Sequence, residues 1–440
     1  MKKVLLELFF VALPKILSGA GAASVNLILL RYFEPEQFGM YSLCITGILL
    51  ADGILGSAFD MGVLRLAPAY RATDEKRSLA IEKAAVILKL IVTLTVGLLL
   101  VLFAQPLSRS LFQQEGTAYL LYLSSCAALG MLLFRSVLVH LQVEGKFALY
   151  GSLDLLHNVL KFGGIALILA FSHVSLGAVL TFFALGPACV SVLYLGACRK
   201  KFLGQGSASV RAAGELLGFV KWSLLIFSLA ALISRLDIFL LTIQADMREV
   251  GIFSGGQAFA VIPDLIGGYL AVVLNPRIIP YCREGRFFAF FWRFQLASLV
   301  GCVVIYLTVI LSMETTLSRL LPASFALSAD VFLILLLGAL SGLVMFPLVI
   351  SFLMFVRPKF LFTMDCISAP IVIILYFYAI QHHGAVGAAW VTSASRIIRG
   401  VIAHVAAWKW ARRAPEIFRE RVMQPVGTTP RVFTNSSSKW

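Results

Sequence analysis

The sequence predicts an all-α protein that crosses a membrane about twelve times, in two parallel repeats of six helices. Three observations support this fold class: an apolar composition, apolar runs long enough to span a bilayer, and short sequence signatures that occur twice at nearly the same spacing. Each observation is weak by itself, but together they describe one architecture.

The composition indicates a membrane protein. Of the 440 residues, 60% are hydrophobic and 13% are charged, and the mean hydropathy is +0.92. A chain with so few polar residues cannot cover the surface of a soluble globule. Runs of about 20 apolar residues, enough to cross about 30 Å of hydrocarbon, recur along the chain. We predict twelve spans at residues 8–30, 38–62, 81–104, 117–142, 149–171, 175–197, 217–243, 250–274, 288–311, 328–354, 360–381 and 385–409.

Three loop signatures recur in the same order, which indicates an internal duplication. The pairs are residues 37–41 with 249–253, 145–147 with 358–360, and 173–178 with 383–388. Internal symmetry of this kind is typical of transporter folds. Six spans per copy place both copies in the same orientation, so we predict parallel repeats. The expected domains are an N-terminal lobe (1–205), a C-terminal lobe (206–413) and a basic, disordered tail (414–440).

Basic residues predict the orientation in the membrane. Loops after odd-numbered spans contain only Arg31, Arg109, Arg248 and Arg319, whereas loops after even-numbered spans contain most of the other loop lysines and arginines. Cytoplasmic loops carry the excess of Lys and Arg, so both termini are predicted to be cytoplasmic. This topology explains most of the net charge of +15. We therefore expect no nucleic-acid partner, and we expect the tail to lie against anionic lipid headgroups.

Basic residues inside the spans are candidates for a cationic cavity. They are Lys15, Lys89, Arg135, Lys161, Arg235, Arg396 and Arg399. For Lys15 and Lys89 we favour snorkelling to the interface. An arginine at the bilayer centre costs roughly 2.5 to 3.5 kcal/mol, so Arg396 and Arg399 should not face lipid. The candidate substrate-binding cations are Arg396, Arg399, Arg235, Lys161 and Arg135. The alternative for Arg396 and Arg399 is a structural pairing with buried Asp.

Acidic residues inside the spans are candidates for ion coupling. Asp52 and Asp264 occupy corresponding positions of the two copies, and Asp237 lies two residues after Arg235. An acid at mid-membrane either couples transport to Na⁺ or H⁺ or pairs with Lys161, Arg235 or an arginine of span 12. Asp154 and Asp365 also correspond, and for them we favour a role at helix N-termini. An Arg235–Asp237 salt bridge is not expected, because residues two apart do not share a helix face.

No motif predicts a bound cofactor. The seven cysteines form neither a CxxC motif nor a cluster with histidine, so we expect no metal site and no disulfide framework. A Walker A sequence is also absent, so ATP is not an expected energy source. The only expected small ions are the Na⁺ or H⁺ of a coupled transporter.

Several short segments carry a family resemblance. They are residues 31–41 (RYFEPEQFGMY), 59–63 (FDMGV), 145–147 (GKF), 274–276 (LNP) and 384–389 (GAVGAA). In this order they resemble the polysaccharide-transport branch, with its O-antigen flippases, of the multidrug/oligosaccharidyl-lipid/polysaccharide (MOP) exporter superfamily, which also contains the MATE transporters. The similarity extends to about Arg413.

The resemblance implies a flippase that moves an undecaprenyl-diphosphate-linked oligosaccharide, an O-antigen (lipopolysaccharide) or exopolysaccharide unit, across the bacterial inner membrane. It also implies a monomeric transporter, not an enzyme, whose partners are the lipid-linked oligosaccharide, the bilayer, and the polysaccharide polymerase and chain-length machinery. A cationic cavity suits the anionic diphosphate of such a substrate. The alternatives are a cation-coupled multidrug or small-molecule antiporter of the same fold and, with less support, a membrane glycan polymerase or ligase.

Overall fold

The described part of the chain is helical. The computed structural model describes residues 2–71, 73–171, 174–197, 210–356 and 358–411. No strand occurs in these ranges. The predicted tail (414–440) and most of the connection near residue 205 lie outside the described residues.

The described residues contain fifteen α-helices, numbered in chain order. Their bounds are α1 Lys2–Tyr32, α2 Pro35–Ala51, α3 Ser57–Arg71, α4 Glu75–Leu102, α5 Ala104–Phe112, α6 Ala118–Glu144, α7 Phe147–Phe171, α8 Leu176–Ala197, α9 Val210–Ile233, α10 Leu236–Gln244, α11 Met247–Arg283, α12 Phe287–Leu320, α13 Ala326–Met345, α14 Ser351–Val356 and α15 Pro358–Ala411. Two π-helical turns, Asp52–Gly56 and Phe346–Ile350, and a short 3₁₀ turn, Ala323–Phe325, lie between helices.

The helices confirm the prediction of an all-α polytopic membrane protein. Ten helical segments of the described chain are long and apolar enough to cross a membrane. The last of them, Lys359–Ala411, is divided at Gly384, whose backbone (φ 51°, ψ −132°) is not helical. Helix α1 adds a further 31 residues. Each predicted span therefore coincides with a helical segment.

One predicted span is not continuous. The run at residues 217–243 was expected to form a single helix, but α9 ends at Ile233 and α10 begins at Leu236. Arg235 adopts φ −129° and ψ 10° between them. The hydropathy pattern does not show this break, because the residues on both sides are apolar.

The chain forms two compact units. The first unit contains residues 1–260, 312–335 and 369–392, and the second contains residues 261–311, 336–368 and 393–440. In the first unit, α3, α4 and α9 meet around Phe59, Ile81 and Leu216, which are buried. In the second unit, Phe287 stacks on Phe352 in a core of buried aromatic and aliphatic side chains. The predicted division into lobes near residue 205 stays a prediction.

The two copies of the first repeated signature contact each other within the first unit. A Cβ on Gly39 would lie 2.1 Å from the carbonyl oxygen of Met247, and a Cβ on Gly251 would lie 1.8 Å from the carbonyl oxygen of Pro35. Met247 and Gly251 are the repeat equivalents of Pro35 and Gly39, so the contact is reciprocal. Glycine is required at both positions because the backbones of α2 and α11 touch there.

A carboxylate from the repeated signature also organises the start of the last span. The backbone amide of Ala385, directly after Gly384, donates a hydrogen bond of 2.6 Å to Oε2 of Glu249. Gly384 has a positive φ, which an L side chain rarely adopts. The predicted boundary between spans 11 and 12 therefore lies at a turn at Gly384, and the hydrogen bond from Ala385 to Glu249 stabilises this turn.

Candidate transport site

A π-helical turn between α2 and α3 positions the first group of charged side chains. This turn, Asp52–Gly56, contains Asp52 at its first position. A π turn inserts an extra residue and redirects the side chains after it, and such turns are frequent at functional sites. A Cβ on Gly56 would lie 2.8 Å from Oδ1 of Asp52 and 3.1 Å from Cδ of Arg135. The glycine therefore leaves space for an ion pair beside the turn.

Asp52, Asp60, Lys89 and Arg135 form a charge-balanced network in the first unit. Nη1 of Arg135 lies 2.7 Å from Oδ2 of Asp52, and Nε of Arg135 lies 2.7 Å from Oδ2 of Asp60. Nζ of Lys89 lies 2.5 Å from Oδ1 of Asp60. Lys89 and Asp60 are buried, with 3% and 4% of their surface exposed. The two negative charges of the aspartates and the two positive charges of Lys89 and Arg135 cancel. Such pairing lowers the free-energy cost of placing charged groups away from water.

This network corrects two expectations. Lys89 was expected to snorkel to the interface, which is wrong because Lys89 is buried against Asp60. Asp52 was expected to pair, if at all, with Lys161, Arg235 or span 12, but its partner is Arg135. Sequence reasoning did not select Asp60 as a site residue. The available signal was its spacing of eight residues from Asp52, about two helical turns along the same span.

A second set of side chains forms an open pocket on the other side of the π turn. The pocket has a volume of about 320 Å³, and its lining includes Gly53, Ser57, Ser234 and Arg235. Arg235 lies at the break between α9 and α10, and no carboxylate of the described residues forms an ion pair with it. A guanidinium with hydroxyl groups nearby can bind phosphate oxygens, because arginine presents a planar fork of donors.

Lys161 and Asp237 occupy separate environments. The ammonium of Lys161 lies 4.4 Å from the ring centroid of Phe162 and 5.2 Å from that of Phe183, so aromatic faces stabilise its charge. Asp237 is buried in the first turn of α10, where its Oδ1 accepts a hydrogen bond of 2.8 Å from the amide of Ile238. The structure therefore brings Arg135 together with Asp52, but it gives Arg235, Lys161 and Asp237 different neighbours.

The two arginines of the last span pair with acids in the second unit. Nη1 of Arg396 lies 3.0 Å from Oδ2 of Asp264, and Nη2 of Arg399 lies 3.0 Å from Oδ2 of Asp365. All four side chains are partly exposed. Pairing with buried Asp was the alternative to substrate binding by these arginines. The ion pairs agree with that alternative, although Asp264 and Asp365 are less buried than it required. Binding of substrate by Arg396 and Arg399 stays a prediction.

The expectation for the second pair of duplicated acids is wrong. Asp154 and Asp365 were expected in first helical turns, but each lies about two turns inside its helix. Asp365 faces Arg399, and Oδ1 of Asp154 lies 3.7 Å from Nδ1 of His157. Hydropathy placed both helix starts too late, because α7 and α15 extend beyond their apolar runs.

A buried acid–histidine pair was also missed. Nδ1 of His140 lies 2.5 Å from Oε2 of Glu82, and both residues are at least 95% buried. Nε2 of His140 lies 3.6 Å from Oε1 of Glu144. Since Glu82 belongs to the polar start of α4 and His140 lies 58 residues away on α6, no local pattern indicated that they would meet.

The fold is shared with solved membrane transporters. The chain superimposes on a structure described as the lipid II flippase MurJ in an inward closed conformation, with a TM-score of 0.72 and 12% sequence identity. The superposition covers 96% of this chain and 94% of the MurJ chain. An outward-facing multidrug resistance MATE family transporter of the MOP superfamily gives a TM-score of 0.57 and 13% identity, over 94% and 96% of the chains. A MOP superfamily transporter from Pyrococcus furiosus gives a TM-score of 0.54 and 14% identity, over 94% of this chain and 96% of the other.

The class of protein follows from this fold: a multi-pass helical membrane protein with the architecture of the MOP superfamily transporters. A model of the family described as polysaccharide biosynthesis protein matches residues 28–279. The chain belongs to this family. Comparison with curated protein sequences gives no significant match.

Proposed function

We propose that the chain is a flippase that moves an undecaprenyl-diphosphate-linked oligosaccharide from the inner to the outer leaflet of the bacterial cytoplasmic membrane. Membership of a polysaccharide biosynthesis family supports the substrate class. The similarity in fold to a lipid II flippase supports the type of movement. The excess of basic residues in loops after even-numbered spans supports cytoplasmic termini, and a reporter fused after Trp440 is expected to read cytoplasmic.

The observation that carries the proposal is the pocket beside the π turn. Arg235 lines it without an acid partner among the described residues, whereas Arg135, Arg396 and Arg399 already face carboxylates. An unneutralised guanidinium in a membrane-spanning protein is costly unless it meets water or an anion. We therefore assign the first contact with the diphosphate to Arg235, with Ser57 and Ser234 as hydroxyl neighbours.

Surface polysaccharide in a host that lacks its own flippase tests this assignment. Arg235→Ala should accumulate in the membrane but restore little polysaccharide. Arg235→Lys should be intermediate, because lysine keeps the charge but loses the bidentate fork. Arg109→Ala is the matched control, since Arg109 is an exposed arginine that pairs with exposed Glu115. Full restoration of polysaccharide by Arg235→Ala would exclude Arg235 as the diphosphate contact.

The same host separates the flippase from the alternative antiporter. A flippase restores polysaccharide and leaves resistance to toxic cations unchanged, whereas a multidrug antiporter does the reverse. The basic character of the pocket favours an anionic substrate, because Arg235 would repel an organic cation. Polymerase and chain-length proteins remain proposed partners, and their co-purification with the chain would support that part of the proposal.

A further inference from the structure

We propose that Arg65 of α3 forms an entry site for the diphosphate of the lipid-linked substrate, between the cytoplasm and the pocket of Arg235. The entry site consists of Arg65 and the ring of Phe219 on α9, and both residues belong to the first unit. The identity of the substrate rests on the proposed flippase function. Binding of a lipid diphosphate at Arg65 can be tested without transport.

Arg65 is an exposed arginine inside a membrane-spanning helix, and no acid of the described residues forms an ion pair with it. Its Cζ lies 4.8 Å from the ring centroid of Phe219. Glu215, one turn before Phe219 on α9, is bound instead to Arg77 at 2.9 Å and to Tyr70 at 2.7 Å. An arginine in a spanning segment is costly unless it meets water or an anion. The guanidinium is therefore available to bind a phosphate group.

The position of Arg65 along α3 matches the level of lipid phosphates. Arg65 precedes Arg71, the last residue of α3, by about 9 Å of helix. The basic-residue pattern places this end of α3 in the cytoplasm. The headgroup regions of a bilayer add about 10 to 15 Å to the hydrocarbon thickness, shared between both faces. An arginine at this depth lies near the boundary between headgroups and hydrocarbon, where the diphosphate of an inner-leaflet lipid is found.

Two helix faces connect the entry site to the pocket, and we call the line between them the α3–α9 seam. Its members recur at every fourth position, which places them on one face of each helix: Ser57, Met61 and Arg65 on α3, and Phe219, Ser223 and Phe227 on α9. Ser57 and Phe227 also line the pocket of Arg235. From Phe219 to Ala231, a further lining residue, α9 rises by about 18 Å. The seam therefore leads from one arginine to the other.

The base of the seam is closed, whereas its edge is exposed. A Cβ on Gly62 would lie 2.8 Å from side-chain atoms of both Leu216 and Val220, so glycine permits close packing of α3 against α9. Met61 and Leu64, on either side of this contact, are 48% and 38% exposed. A prenyl chain can remain in the bilayer beside this apolar edge while its diphosphate contacts the seam. The charged group then does not cross hydrocarbon without a cation nearby.

The continuation of the seam favours a transported diphosphate over an anionic phospholipid as the occupant. A phospholipid headgroup stays at the interface and needs only Arg65. A substrate that crosses the bilayer needs a further cation deeper in the membrane, and the seam leads to Arg235 in its pocket of about 320 Å³. Phosphatidylglycerol is the competing occupant that the experiment has to distinguish.

Binding of farnesyl diphosphate to the purified full-length protein in phosphatidylcholine nanodiscs tests the entry site. Arg235→Ala removes the cation of the pocket, so we expect the binding that this variant retains to depend on Arg65. Addition of Arg65→Gln should weaken that binding at least about tenfold, because a charged hydrogen bond to phosphate is lost. Addition of Arg65→Lys should weaken it less, because lysine keeps the charge.

Lys76→Gln is the matched control, since Lys76 is an exposed cation at the same end of the first unit, and it should leave the binding by Arg235→Ala unchanged. Absence of binding by Arg235→Ala, or equal affinity with and without Arg65→Gln, would overturn the proposal. Replacement of part of the phosphatidylcholine by phosphatidylglycerol should leave the effect of Arg65→Gln in place. Loss of that effect would mean that a bulk phospholipid occupies Arg65, which would also overturn the proposal.

Passage along the seam is tested in the flippase-deficient host. A photoreactive amino acid in place of Met61 should crosslink a lipid that carries the oligosaccharide, and Arg65→Gln should lower the yield at unchanged protein levels. The same probe in place of Leu98, an exposed apolar residue of α4, should not capture this lipid. No crosslink at Met61, or one that does not depend on Arg65, would overturn passage along the seam. If the wild type restores no polysaccharide but Arg65 is needed to bind farnesyl diphosphate, the flippase function fails and the diphosphate site stands.

Discussion

Lys89 offers a direct test of the buried ion network. The substitution Lys89→Met keeps the length and apolar stem of the side chain but removes the ammonium that lies 2.5 Å from Asp60. Asp52, Asp60 and Arg135 then carry one uncompensated negative charge in a site where Lys89 and Asp60 are almost fully buried. Removing one partner of a buried pair costs about 3 to 5 kcal/mol, so we expect a loss of this size.

A second substitution makes the test specific for charge. In Lys89→Met/Asp60→Asn the remaining pair, Arg135 and Asp52, is neutral, and we expect about 2 kcal/mol of the loss to be recovered. The assay is unfolding of the purified protein in mixed detergent micelles. Lys76→Met, at an exposed position of the same helix, should change the unfolding free energy by less than about 0.5 kcal/mol. Equal losses in the single and double variants would refute the charge argument.

Two further predictions concern other contacts. Gly251→Ala places a Cβ 1.8 Å from the carbonyl oxygen of Pro35, so we expect a loss of about 3 kcal/mol or more in the same assay; Gly214→Ala, which has open space around it, should be neutral or stabilising. Arg396→Ala should lower the amount of protein in the membrane by leaving Asp264 without its partner, and Arg396→Ala/Asp264→Ala should restore it. An equally low amount of the double variant would contradict a structural ion pair there.

The fold could be predicted because its signals are local in sequence. A run of about 20 apolar residues specifies a spanning helix wherever it occurs, and the helices coincide with the predicted spans. The signatures at residues 37–41 and 249–253 indicated the duplication, and their glycines, Gly39 and Gly251, lie at the contact between the two copies. Glycine also placed one boundary well, at Gly384 between spans 11 and 12.

The candidate site could be predicted only in part, because a charge pattern shows how deep a residue lies but not which partner it faces. Arg235, Asp52 and Arg396 were selected because charges inside spans are rare. The pairing of Arg396 with an acid was one of two open alternatives, whereas the contact between Arg135 and Asp52 was not anticipated.

The sequence by itself determined the class of protein, the positions of its apolar helices and the duplication, since these follow from composition, run length and spacing. Only the tertiary structure decided which charges are compensated. The partners of Lys89 and His140 depend on how α3, α4 and α6 rotate about their axes, and the π turn at Asp52 shifts that rotation partway along a span. A rotation of a few tens of degrees changes the face that a side chain meets without changing any apolar run, so hydropathy carries no information about it.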